Sequence, residues 1–387
     1  MCTTFASARS RAWCSRDAES CCAGLFPRKK RLPLRRERGR SHAWKDGPLI
    51  NRRAVLLGAS AACARVAGLV GAAGASAGAA AAQVNPAGVL TASDVHVSDY
   101  PTVQALRWMG DMISRETGGE LSMRVYHSGQ LGRENDTVDL ARFGALDITR
   151  INFASLNNTF PATEAMSLPY VFDSTEHMRR AVDGAAGKAI LDAFEKRGLI
   201  GLAIYDSGAR CFYNHSRAVR EPGDLKGLKI RVPPSDMFVG LIRALGANPT
   251  PLSYGEIFSA LQTKLIDGAE NNWTTFQTSR HFEVARFWSQ SEHSYSPEAV
   301  LMSKRRFQKL TGRQQELVRT AAAQSVPYMR TLWDSSEAQA RAAVEKAGIR
   351  ATPVNRAAFQ KVAAPIVESY MKDPQLQRIY QEIRAVA

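Results

Sequence analysis

From about Thr91 onward the chain alternates short apolar runs with segments of helical periodicity, and that alternation restricts the fold more than any other feature. Strands separated by helices return to a sheet through crossovers, which gives α/β layers around a parallel-rich sheet. Leu121, Met123 and Val125 alternate with polar residues as a strand does, and Gly129 and Gly132 bracket a turn. Helical spacing follows from Arg133 to Phe143, and the next strand is expected over Leu146 to Asn152.

Further on, Ser174 is placed to cap a helix running to Val182, Gly187 precedes another ending near Lys196, and Leu199 to Tyr205 reads as an apolar strand. Lys229 to Val232 is a short strand stopped by Pro233-Pro234. Ser235 then caps a helix whose apolar face, Phe238, Val239, Leu241, Ile242 and Leu245, ends at Gly246. Ser253 and Glu256 have capping-box spacing. No internal repeat is evident. From Gln314 to Lys346 the only breaker is Pro327, which predicts one long helix, kinked at the proline, running across two domains.

The formal charge of +15 suggests nucleic acid or an anionic membrane until its distribution is counted. Residues 1 to 82 carry 15 Lys/Arg against 4 Asp/Glu, a net of +11, which leaves +4 for the remaining 305 residues. The remainder is an ordinary surface, and no nucleic-acid partner is expected: the basic tract Arg28-Lys29-Lys30-Arg31 has nothing aromatic or patterned around it. Cysteine divides the same way. Cys2, Cys14, Cys21, Cys22 and Cys63 all precede residue 82, and only Cys211 follows.

Asn51-Arg52-Arg53 opens a run of Ala, Gly, Leu and Val that ends at Ala79-Ala80-Ala81-Ala82. A positive start, a weakly apolar middle and small residues at the end read as a signal peptide over 51–82, cleaved near Ala82 or Ala77. The paired arginines point to the twin-arginine route. Arg65 and the Gly/Ala richness argue against a membrane helix. Residues 1–50 would then be an overlong start assignment, and the mature chain would be periplasmic.

Enzyme signatures are missing. There is no phosphate-binding Gly-Lys loop, no dinucleotide fingerprint and no His-Glu-x-x-His, so neither cofactor nor metal is expected. Gly74-Ala75-Ser76-Ala77-Gly78 fits the serine-hydrolase elbow, but it lies in the Ala-rich leader with no strand before it.

Arg231 is the candidate that stands out. It closes a short strand beside two prolines and a helix start, where a guanidinium fork and helix-end amides together suit an anion. Spacing leaves ligand clamp and internal ion pair both open. Arg210, in the loop after Tyr205-Asp206-Ser207-Gly208, has the same two readings. Asn271, Asn272 and Trp273 follow an apolar stretch and suit a sugar or hydroxy acid, since amides bond hydroxyls while an indole covers ring faces; the asparagines also fit a plain turn.

With these residues in view, the chain from about 90 to 387 resembles the solute-binding proteins of tripartite ATP-independent periplasmic (TRAP) transporters, the DctP-type family. The resemblance rests on Gly129-Gln130-Leu131-Gly132-Arg133-Glu134, on Tyr205 to Arg210, on Asp224 to Pro233, on Gly246 to Pro251, on Tyr254-Gly255-Glu256, and on Asp267 to Asn272. It implies an α/β, two-lobed periplasmic-binding-protein fold with crossing strands and a long lobe-spanning helix. Lobe I is expected over 90–207 plus about 298–312, lobe II over 208–297 plus about 350–387, and the connecting helix over about 313–347.

The resemblance also implies Arg231 as carboxylate clamp, Arg210 as second cation and Asn271 as polar partner. Glu134 is expected to contact a hydroxyl or a bridging water, since its own charge repels a carboxylate. Asp94-Val95-His96, Asp99 to Val103 and Glu270-Asn271-Asn272 look like members that bind hexuronates such as glucuronate or galacturonate, which puts His96 at the cleft. Val97 and Thr274 depart from that pattern, where proline and Pro-Ser are usual. Arg150, Asn152, Glu256 and Trp273 complete the candidate contacts.

The leading expectation is a monomeric, non-enzymatic binding protein that captures a small carboxylate and docks to TRAP membrane permease subunits. The alternatives are a C4-dicarboxylate ligand, a ligand-sensing subunit, and a periplasmic enzyme using Glu134 with Glu256 or His96 as acid and base.

Overall fold

The computed structural model describes residues 88–387. The leader expected over 51–82, the extension over 1–50, the elbow-like Gly74 to Gly78 and the five early cysteines lie outside the described residues.

Eleven strands form two sheets. In chain order they are β1 (Val89–Ser93), β2 (Ser122–Tyr126), β3 (Ile148–Asn152), β4 (Leu199–Tyr205), β5 (Ala209–Asn214), β6 (Lys229–Val232), β7 (Asn248–Pro251), β8 (Gly268–Asn271), β9 (Phe287–Tyr295), β10 (Glu298–Ser303) and β11 (Ala351–Pro353). The first sheet has the order β2-β1-β3-β10-β4, and the second β11-β9-β5-β8-β6-β7. β1, β2 and β3 run parallel, while β10 is antiparallel to both β3 and β4.

The chain passes between the sheets twice on strands. It leaves the first through Asp206-Ser207-Gly208 between β4 and β5, and returns through Ser296-Pro297 between β9 and β10. Gly208 has φ +66, a left-handed conformation that favours glycine, and a Cβ there would lie 3.1 Å from the Trp333 ring. Asp206 is buried in the first crossing and held by Arg179 (Nε–Oδ2 2.6 Å) and Arg330 (Nε–Oδ1 3.1 Å).

The long helix spans Gly312–Lys346 and continues through Pro327. Thr311 sets its start: its Oγ1 accepts from Gln314 N–H at 3.3 Å, and its own N–H donates to Gln314 Oε1 at 3.0 Å. Val318, Ala321, Ala322, Met329 and Trp333 bury against Leu106 and Met109 of the first layer. Ala340 and Val344, further along, bury with Trp273 and Trp288 of the second. One helix therefore contributes to two cores.

Strands Leu199–Tyr205 and Lys229–Val232 fall where the sequence puts them. Ser174 and Ser235 cap their helices by accepting from the backbone N–H groups of His177 (3.1 Å) and Phe238 (3.4 Å). The C-terminus differs from expectation. The helix Pro374–Arg384, expected with the second lobe, packs against the first layer instead, with Leu376, Ile379 and Ile383 in one cluster with Met178, Ile190 and Phe194. Its apolar residues repeat at helical spacing and give one buried stripe, which Arg384 fixes by donating to Val171 O at 3.0 Å.

Candidate functional site

Strand ends from both sheets converge on one cavity. The first layer contributes His96 after β1, Asn152 at the end of β3, Glu134, Ser155 and Glu298. The second contributes Arg210 on β5, Arg231 on β6, Pro233, Tyr254, Asn271 and Thr275. Six sequence candidates are thus brought together: Arg231, Arg210, Asn271, Glu134, His96 and Asn152.

The two arginines are differently occupied. Arg210 is locked to Glu270, Nε to Oε2 at 2.6 Å and Nη2 to Oε1 at 2.8 Å, and also donates to the Glu270 carbonyl at 3.1 Å. Burial alone would raise the Glu270 carboxyl, but the Arg210 charge overrides it and holds the group at about 2. Arg231 donates through Nε (2.9 Å) and Nη2 (2.6 Å) to a single backbone oxygen, Leu252 O. No carboxylate lies within ion-pair distance of it among the described residues. Burial, opposed by the Glu270 charge, pulls its pKa down to about 10, so it remains a cation at neutral pH.

Asn271 Oδ1 accepts from Asn272 N–H at 2.9 Å and from Arg210 Nη1 at 3.4 Å, which leaves its amide NH₂ for the cavity. His96 lies flat on Tyr100, ring centroids 3.8 Å apart, with Tyr254 edge-on at 4.9 Å. Its Nδ1 lies between Arg150 Nη2 at 2.7 Å and Asp94 Oδ1 at 3.1 Å. Glu134 is fixed from two sides: Oε1 accepts from Asn152 N–H (3.1 Å) and Arg150 Nη1 (3.2 Å), and Oε2 accepts from Ser155 Oγ (2.7 Å). Asn152 spends its Oδ1 on Ala154 N–H (3.0 Å) and Ser296 Oγ (2.7 Å).

Three candidates stand outside the cavity. Arg150 is buried behind the wall and shared among Asp94, Glu134 and Glu298. Burial would raise the Asp94 carboxyl, yet the Arg150 charge and hydrogen bonds hold it far below the usual carboxylate range. Glu256 is engaged in capping, accepting from Ser253 N–H at 2.9 Å, and in an exposed pair with Arg133 at 3.3 Å. Trp273 is core: its ring stacks on Trp288 at 3.9 Å.

Ser155, Pro233, Tyr254, Thr275 and Glu298 were not among the candidates. Pro233 and Tyr254 lie inside the motifs already noted. The signal for Glu298 was a carboxylate opening the apolar run Ala299-Val300-Leu301-Met302. Thr275 joins the layers, its Oγ1 3.0 Å from Tyr100 Oη.

A buried guanidinium with no carboxylate partner among the described residues therefore lines the cavity. The model for bacterial extracellular solute-binding proteins, family 7 (DctP), matches residues 92–373. The chain belongs to that family. Among solved structures, this family 7 protein is similar to a TRAP periplasmic solute-binding protein of Bradyrhizobium sp. BTAi1 in complex with α/β-D-galacturonate. The two are 47% identical with a TM-score of 0.75, covering 76% of this chain and 99% of that one. It is similar to one of Xanthobacter autotrophicus Py2 with bound β-D-galacturonate at 44% identity and TM-score 0.75, over 76% and 99%. A third, from Roseobacter denitrificans with bound β-D-glucuronate, is 37% identical with TM-score 0.75, over 77% and 99%. This family 7 protein is accordingly a TRAP-type solute-binding protein of two-lobed α/β fold. No helix among its described residues is long and apolar enough to cross a membrane.

Proposed function

We propose that the protein captures a hexuronate, D-galacturonate first and D-glucuronate second, by its carboxylate on Arg231. The observation that carries this reading is the Arg231 guanidinium itself, buried at the cavity and bonded only to Leu252 O. A carboxylate there gains charge-assisted hydrogen bonds of about 1.5 to 3 kcal/mol, favouring closure of the lobes on it. The Asn271 amide, the His96 ring and Glu134 then face the sugar hydroxyls. The bound sugar acid is delivered unchanged to TRAP membrane permease subunits by a periplasmic monomer.

Two observations support a hexuronate over a C4-dicarboxylate. A second carboxylate needs a second available cation, and Arg210 is already paired with Glu270. The neighbours at 44% and 47% identity carry galacturonate. Of the acid-base pairs open to an enzyme, Glu134 with Glu256 is disfavoured, because Glu256 lies outside the cavity. A thermal-shift and calorimetric panel of galacturonate, glucuronate, malate and succinate tests the reading. Stabilisation by the uronates is expected, and stabilisation by malate or succinate alone rejects it.

A further inference from the structure

We propose that Glu298 takes up a proton as the ligand binds, so that a carboxylate ligand enters the cavity together with a proton. The inference rests on the uronate reading above. Its geometric basis is a shortage of cations. Three guanidinium groups, Arg150, Arg210 and Arg231, face four carboxylates, Asp94, Glu134, Glu270 and Glu298, in and behind the cavity wall. Glu270 occupies Arg210, and the other three carboxylates divide Arg150. A ligand carboxylate on Arg231 adds a fifth negative charge to the same water-poor space. Excess charge of this kind is relieved by protonating the carboxyl that is least well held.

Glu298 is that carboxyl. Asp94 accepts from His96 N–H (2.9 Å) and Thr102 Oγ1 (2.7 Å) besides its pair with Arg150. Glu134 and Glu270 are each held by several donors as described. Glu298 Oε1 has only long bonds, from Ser207 Oγ at 3.2 Å and Asn152 Nδ2 at 3.5 Å. Its Oε2 lies 3.0 Å from Arg150 Nη1, but off the line of the N–H bonds, and takes no hydrogen bond. Burial raises its pKa; Arg150 and His96 oppose the rise, while Asp94 and Glu134 add to it.

The other titratable groups around it do not substitute. Tyr254 across the cleft, Tyr100 on the same side as Glu298 and Tyr205 on the adjacent strand are pushed further up by burial and keep their protons. Arg210 and Arg231 are already charged. The two nearby rings face other carboxylates: His96 Nδ1 lies 3.1 Å from Asp94 Oδ1, and His293 Nε2 lies 3.4 Å from Glu270 Oε2. Glu298 also stands at both strand crossings: it opens β10 directly after Ser296-Pro297, and Ser207 of the other crossing donates to it.

The test is calorimetric titration of the folded protein with D-galacturonate at matched pH, from pH 4.5 to 8.5, in pairs of buffers that differ in ionisation enthalpy and each buffer at the pH used. Uptake at Glu298 means a higher pKa in the bound state than in the free one. Binding is then strongest below the free-state pKa and weakens as pH rises towards the bound-state pKa, by up to about tenfold per pH unit. Buffer-dependent heats approaching one proton per ligand are expected within that window. Glu298→Gln, neutral at every pH, should bind without uptake. Galacturonate binding with the same heat in both buffers throughout overturns the proposal, as does uptake that survives in Glu298→Gln. If Glu298→Gln does not fold, the wild-type buffer pair still decides, since heats that do not depend on the buffer overturn the proposal. Failure to bind any uronate overturns the uronate reading itself, and this inference with it.

Discussion

Arg210 and Arg231 share one cavity, yet Arg210 is held by both carboxylate oxygens of Glu270 at 2.6 and 2.8 Å while Arg231 rests on a lone backbone carbonyl. Two cations of the same type are thereby set apart: the first is paired within the wall, and the second is the one that the proposed reading gives to the ligand.

Replacing Arg231 by lysine keeps the charge and removes the planar fork. Uronate affinity should fall by about 10- to 100-fold, corresponding to the roughly 1.5 to 3 kcal/mol of a charge-assisted contact. Calorimetry at constant pH measures it, and an unchanged affinity would remove Arg231 from the site.

Glu270→Ala should act on stability first. It leaves the buried Arg210 uncompensated, at a cost of about 3 to 5 kcal/mol by urea unfolding. The same pair gives an acid limb. The folded-state pKa of Glu270 is depressed to about 2 from an ordinary 4.5, so its contribution is complete above pH 4.5 and is lost as pH falls towards 2. Glu270→Gln should flatten that part of the stability profile; an unaltered acid limb would show that other carboxylates set it.

Trp273→Ala separates core from cleft. Loss of an indole stacked 3.9 Å from Trp288 should cost about 3 to 5 kcal/mol. The protein that remains folded should bind uronate with nearly normal affinity, read by calorimetry at low temperature. A selective loss of affinity at intact stability would return Trp273 to the site.

Thr275→Val removes a hydrogen bond joining the two lobes across the cleft, Thr275 Oγ1 to Tyr100 Oη at 3.0 Å. A net contribution of about 1 kcal/mol to the closed form predicts a roughly five-fold weaker Kd with little change in thermal stability. Equal affinities for variant and wild type would assign that bond no part in closure.

The strands and caps were legible because their signals are local. Lys229 to Val232 ends at two prolines, and Ser174 and Ser235 stand directly before apolar helical faces. Arg231, Arg210 and Asn271 were legible as strand-end polar residues, but which arginine was free was not, since that depends on Glu270 of β8 lying beside β5. Trp273 misled because an aromatic beside two asparagines looks the same in sequence whether its ring covers a sugar or Trp288. Glu256 misled for a related reason: its capping spacing with Ser253 was visible, and that occupation is what keeps it from the cavity. Thr275 and Glu298 carry no local signal beyond a polar residue in an apolar setting; only the approach of the two layers gives them a role.

The placement of Pro374–Arg384 against the first layer has a consequence for how the protein comes into being. That layer draws its core from the start of the described chain, from the middle through β10, and from these last residues. A ribosome or a translocation pore delivers a chain in order, and a layer whose apolar stripe arrives last stays open until then. The second layer also takes late residues, β11 with Phe359 and Ala363, but the first waits longer, its Met178 and Phe194 side uncovered, for the helix that seals it.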